Sequence, residues 1–149
     1  MSMSAFNNVL LQNILHNIDI GIHVIDENRK TVVYNDAMGR IEGLDPKQVI
    51  NKDLLEVFPS LDETSSTLIS ALTEKKPILN KAQVYINSKG KKIFTINSTL
   101  PIFIRDQVVG ALEIAKDITY IKELSERLMD LQNELNINNQ FSNFNKKKK

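Results

Sequence analysis

Two histidines, no cysteine and no tryptophan leave this 149-residue chain few side chains suited to covalent chemistry. His16 and His23 lie apart, with no third ligand in a metal-binding spacing, so a metal site is not expected. Ser65, Ser66 and Ser98 stand in no nucleophile motif. The glycines Gly21, Gly39, Gly43, Gly90 and Gly110 do not have the spacing of a phosphate loop, so nucleotide binding of that kind is not expected. With catalysis unsupported, binding chemistry remains.

The strongest binding candidate is Glu113. In the apolar stretch Gln107 to Asp117, alternation puts Ala111, Glu113 and Ala115 on one face and Leu112 and Ile114 on the other. If the alanine face turns inward, Glu113 is a carboxylate in a roomy cavity, a partner for a cation. If it turns outward, Glu113 meets solvent or a lysine. His23, between Ile22 and Val24, is either a site residue or a hydrogen-bonded histidine at the sheet surface or a helix interface. Tyr34 can donate to a ligand or serve as a core ring with its hydroxyl at the surface. Asn97, between Ile96 and Ser98, is harder to read as packing, because a buried amide needs partners. Met38, Phe58, Leu68 and Leu72 are apolar walls of such a pocket or plain core.

These residues need a scaffold. A helix capped by Ser4 carries Phe6, Val9, Leu10, Ile14 and Ile18, with Leu11 and Leu15 widening its apolar face. So apolar a helix needs the sheet or a second copy of itself to cover it. Gly21 to Asp26 and the β-branched, aromatic Thr31 to Tyr34 form a hairpin. Asn35 or Asp36 then caps a short helix through Ala37, Met38 and Ile41 that ends at Gly43. Asp45-Pro46 and Asp53 to Glu56 mark two more helical starts. A longer helix is expected from Asp62 to Lys76, stopped by Pro77. Ile78 to Ile86 and Lys92 to Leu100 flank the turn Asn87 to Gly90. Pro101 marks a bulge, an edge or a strand end, and Ile102 to Ile104 continues extended. With the Glu113 strand this is an α+β domain: one five-stranded antiparallel sheet with a helical crossover and flanking N-terminal and C-terminal helices.

After Asp117-Ile118-Thr119 the period changes. Ile121, Leu124, Leu128, Leu131 and Leu135 are spaced three and four apart, an amphipathic stripe of about two heptads. It suits a parallel homodimer, with a helix folded back on the sheet as the alternative. Glu123 and Arg127 form a favourable pair four apart. Beyond it the chain is asparagine-rich and ends in Lys146 to Lys149, the composition of a linker to a downstream domain. The expected divisions are a leading helix over 1–17, a domain over 18–119, a signalling helix over 120–136 and a linker over 137–149.

Composition narrows the function further. The hydrophobic share of 42% and charged share of 25% are those of an ordinary soluble domain. Net charge is +1; without the last four lysines, 15 basic residues face 18 acidic ones, giving −3. That balance offers no footprint for nucleic acid. No apolar run approaches the ~20 residues of a membrane span, and the N-terminus lacks signal-peptide order. A cytoplasmic protein is expected.

The stretches I-D-I-G-I-H-V-I-D (Ile18 to Asp26), V-V-Y-N-D-A-M (Val32 to Met38), I-N-S-T-L-P-I (Ile96 to Ile102) and V-V-G-A-L-E-I-A-K-D-I-T (Val108 to Thr119) together resemble a PAS domain. The segments around His23, Asn97 and Glu113 are more specifically similar to the N-terminal sensory domain of arginine-utilisation transcriptional activators. In that family a PAS domain precedes an ATPase that remodels sigma-54 RNA polymerase. The resemblance implies a small-molecule ligand, a cationic amino acid such as arginine or ornithine among the candidates. It also implies a signalling joint at Asp117 and Thr119. Flavin photosensors of the family need a reactive cysteine, which is absent, and haem-binding members need a histidine on the long crossover helix, where there is none. Neither cofactor is expected. Two rival expectations are a ligand-free interaction module and the sensor of a histidine kinase.

Overall fold

The structure is a computed structural model describing residues 2–59 and 66–147. Residues 1–117 form one compact unit and 118–149 a second. In the first unit, helix α1 (Met3–Asn17) leads into β1 (Gly21–Asp26) and β2 (Thr31–Tyr34). Then come α2 (Asp36–Glu42), a single 3-10 turn (Pro46–Gln48), α3 (Leu54–Val57) and α4 (Thr67–Glu74). Strands β3 (Ile78–Ile86), β4 (Lys92–Ile104) and β5 (Gln107–Asp117) complete one sheet in the order β2-β1-β5-β4-β3. The pairs are antiparallel, and β5, although last in sequence, lies at the centre.

Short polar side chains set the helix starts. Ser2, rather than Ser4, caps α1 by accepting from the Ala5 amide, two residues earlier than expected. Asp45, Asp53 and Ser66 cap their helices in the same way. The long helix expected from Asp62 begins, as described, at Thr67; residues 62–65 lie outside the described residues. Gly43 ends α2 at φ 73°, the left-handed conformation glycine adopts most cheaply.

Asn35 does more than cap α2. Its Oδ1 accepts from the amides of Ile22 and Met38, and its Nδ2 donates to the carbonyls of Leu15 and Ile20. One side chain thus ties the end of α1, the start of β1 and the start of α2 together.

Pro101 sits inside β4, opposite Ala111 of β5. The β3 pairing reaches only as far as Thr99, so β4 is locally an edge where proline lacks its donor. The register shifts just beyond, between Ile102 and Phe103. Gly110 answers a different constraint: a Cβ there would lie 2.4 Å from the Ile25 carbonyl oxygen.

The helical crossover covers one sheet face through two apolar clusters. Ile25, Leu54, Leu68, Ile69, Ala71 and Ala111 form the first. Tyr34, Met38, Ile41, Val49, Ile93 and Ala115 form the second. Ala111 and Ala115 are therefore core residues, so the alanine face of β5 is the inward one.

The second unit is helix α5 (Thr119–Lys147). It continues through the asparagine-rich stretch expected as a linker from 137. No glycine or proline interrupts it, and asparagine weakens a helix by well under about 1 kcal/mol per residue. Ile137, Phe141 and Phe144 punctuate that stretch at helical spacing and are exposed. At about 100° per residue they fall on a different side of the helix from Leu128, Leu131 and Leu135. Among the described residues no helix is long and apolar enough to cross a membrane.

Candidate ligand cavity

A cavity of about 490 Å³ opens between the sheet and the crossover. Small-molecule sites commonly fall in this size range. Its sheet wall carries His23 from β1, Glu113 from β5, Asn97 from β4, and Gln83 and Tyr85 from β3. Leu54, Phe58 and Leu68 supply the apolar side, and Glu42, the last residue of α2, closes one end.

Strand register explains the polar wall. His23 pairs with Glu113 across β1 and β5, and Asn97 pairs with Ala115 across β4 and β5. Residues directly opposite in a ladder share a face, so these side chains converge. On β3, Gln83 and Tyr85 turn inward, opposite Thr95 and Ile93, while Val84 and Ile86 are exposed.

Each polar group is distinctly placed. His23 is buried and its Nε2 lies 2.9 Å from Thr31 Oγ1. Its ring meets Tyr34 edge-on, with centroids 5.0 Å apart. Burial pushes the imidazole down to about 4, so His23 is neutral at physiological pH. Asn97 is only 4% exposed; its Nδ2 donates to Gln83 Oε1 while its own Oδ1 has no partner. Burial, and next the Glu42 charge, push the Glu113 carboxyl up to about 7. Burial also lifts Glu42 to about 7, against the stabilising hydrogen bond that Tyr34 Oη donates to its Oε1 at 2.6 Å. The hydroxyls of Tyr34 and Tyr85 are raised by burial first and by the Glu42 charge second.

Of the residues singled out from sequence, His23, Phe58, Asn97 and Glu113 line this cavity. Tyr34, Met38 and Leu72 are not on its wall. Tyr34 stands one layer behind, bonded to Glu42. Met38 fills the second cluster, and Leu72 packs against the first. Glu42, Gln83 and Tyr85 were missed. Glu42 precedes the glycine that ends its helix, where an acid ordinarily faces solvent. Only its spacing of four from Met38 signals the inward side. On β3 the apolar alternates Val84 and Ile86 are exposed, so hydrophobicity alone does not mark Gln83 and Tyr85 as the inward pair. Asp117 ends β5 opposite Thr95, and Thr119 opens α5. The stripe residues Ile121, Leu124, Leu128, Leu131 and Leu135 are exposed. Among the described residues no group of three or more histidines and carboxylates is placed to hold a metal ion.

A family model described as the PAS fold matches residues 10–118. The chain belongs to the PAS family. Its cavity therefore lies between the sheet and crossover of a PAS domain. The chain is 44% identical over 127 residues to the transcriptional activator RocR of Bacillus subtilis (strain 168). That match takes in 85% of this chain and 28% of the activator. Among solved structures, the PAS domain of Bordetella pertussis BvgS superposes with a TM-score of 0.61 at 20% identity, covering 87% of this chain and 99% of that one. An RNA-binding light-oxygen-voltage receptor gives 0.64 at 18% identity, covering 91% of this chain and 40% of that one. At these identities the structural likeness is one of fold alone.

Proposed function

We propose that this PAS domain is the sensory part of a bacterial sigma-54-dependent transcriptional regulator, that it binds a small metabolite through a cationic group, and that it signals through α5. One observation carries the ligand class: the cavity presents the Glu42 and Glu113 carboxylates and the unpartnered Asn97 Oδ1, with no lysine or arginine among the described residues that line it. Such an acceptor-rich wall is completed by N–H donors bearing positive charge. The identity to a transcriptional activator supports the regulatory role. Arginine and ornithine are the first ligands in line, with Glu113 and Asn97 reading the cation and Phe58 packing on its alkyl stem. Tyr34 acts from behind by orienting Glu42, while Met38 and Leu72 brace the walls. His23, whose Nε2 faces Thr31, serves as a neutral wall residue rather than a haem ligand, and the reading involves no haem or flavin.

The exposed stripe from Ile121 to Leu135 pairs with the same stripe of a second copy, making a cytoplasmic homodimer. Ligand binding then biases two arrangements of the paired helices through Asp117 and Thr119. A ligand shifts such an equilibrium only by its difference in affinity for the two states. A second reading, an interaction module without a ligand, draws on the exposed apolar side chains of α1, Phe6, Val9, Leu10 and Ile14 among them.

A thermal-shift series with arginine, ornithine and the neutral analogue citrulline separates the two. A ligand at a hundred times its dissociation constant adds about 2.7 kcal/mol, a rise of several degrees. A rise with a cationic amino acid and none with citrulline is expected. No rise with any of them favours the interaction module.

A further inference from the structure

Glu42 and Glu113 reach the same cavity from different elements, the end of α2 and the middle of β5. Among the described residues that line the cavity, no cationic side chain offsets them. The one histidine there, His23, is neutral and faces Thr31 Oγ1. The other titratable groups around the pair are Tyr34, whose hydroxyl donates to Glu42, and Tyr85 on β3. Asp117, at the end of β5, adds a further negative charge felt at Tyr85. Each of these neighbours is neutral or negative; Lys89, in the turn between β3 and β4, packs against Gly43 beside Glu42 but is not among the described residues that line the cavity. Asn97 Oδ1, buried on the same wall without a donor, is a third acceptor awaiting a partner.

Two carboxylates that share a poorly solvated space resist simultaneous ionisation, so one keeps a proton unless a cation replaces it. We infer that Glu42 and Glu113 form one proton-or-cation exchange site: the empty cavity holds a proton between them, and an entering guanidinium or ammonium group binds across both carboxylates and expels it. The carboxyl O–H bond breaks, the proton leaves to solvent, and N–H···O bonds to both carboxylates take its place. Burial and then the Glu42 charge raise the Glu113 carboxyl, in agreement with this arrangement, while burial raises that of Glu42. The inference rests on the proposed binding of a cationic group, and adds Glu42 and the proton to it. It makes affinity pH-dependent: one displaced proton weakens a monocation about tenfold for each pH unit below the titration of the pair. Glu42 becomes a specificity-determining residue, since a single carboxylate ionises without needing an incoming cation.

The test is a carboxyl 13C NMR titration of the 149-residue chain as wild type, Glu42→Gln and Glu113→Gln, with and without arginine as the probe cation. In the wild type without arginine, a glutamate midpoint near neutral pH is expected, and replacing either residue should lower the other's midpoint by about one unit. Saturating arginine should drive the wild-type midpoint down as well. The two single variants check one another, and amide dispersion shows that each is folded. Both carboxyls titrating at ordinary values, or Glu113 indifferent to Glu42→Gln, would overturn the paired site whatever arginine does. If the pair titrates as expected and arginine binds without moving it, the exchange falls while the cationic-ligand reading stands. If arginine perturbs no resonance at all, the exchange and that reading fall together.

Discussion

Replacing Glu113 by glutamine should stabilise the ligand-free protein at pH 8 and do so far less at pH 5. The carboxyl is lifted from 4.5 to about 7 in the folded protein, burial being the main cause. Between those values the folded state binds more protons than the unfolded one, so stability is full below pH 4.5 and is lost as pH rises towards 7. At about 1.4 kcal/mol per unit, a fully dry site would lose about 3 kcal/mol. Glu113 is half-buried on the wall of a cavity that opens to solvent, which halves the figure to about 1–2 kcal/mol. Glutamine keeps the shape and removes the charge. For a chain of this length that corresponds to a gain of about 3–6 °C in melting temperature at pH 8. Differential scanning calorimetry of both proteins at pH 5, 6.5 and 8 reads the effect. A gain of equal size at every pH would refute the electrostatic reasoning, because only an ionising group makes the difference grow with pH. A loss at pH 8 would show that the Glu113 charge is satisfied in the folded protein.

The remaining predictions probe other parts of the scaffold. Tyr34→Phe removes the donor that holds Glu42 down, so the Glu42 midpoint should rise further, as carboxyl NMR would show; an unmoved midpoint denies that hydrogen bond its role. Gly110→Ala forces a Cβ against the Ile25 carbonyl and should cost about 3 kcal/mol in urea unfolding as β1 and β5 part. Leu128→Asp places a charge on the exposed stripe and should weaken the dimer at least tenfold, about 1.4 kcal/mol or more, with the melting of residues 2–117 unchanged. Sedimentation equilibrium measures this, and an unaltered mass would leave the stripe without a role in pairing.

Local signals carried much of the fold. Hairpin patterns, the caps at Asn35, Asp45 and Asp53 and the stop at Gly43 depend on residues a few positions apart, and the five strands lie where alternation and turn residues put them. Where a neighbour's chemistry competed, local reading slipped. Two acceptable serines let the α1 cap fall on Ser2, and asparagine alone does not stop a helix that lacks glycine and proline. The alternation in β5 likewise put Glu113 with Ala111 and Ala115, although it could not say which face turned inward.

By itself, then, the sequence determined the order of elements, the PAS resemblance and the partition of β5 into two faces, because these follow from near-neighbour chemistry and period. Only the tertiary structure decided what the cavity is made of. Strand register brought His23 beside Glu113 and turned Gln83 and Tyr85 inward against the hydrophobic pattern of β3. Packing of α2 carried Glu42, next to its terminal glycine, to the cavity wall, with Tyr34 behind it, and sent Met38 and Leu72 into the core. These placements join residues far apart in the chain, and no local spacing encodes the meeting of two carboxylates from a helix end and a central strand.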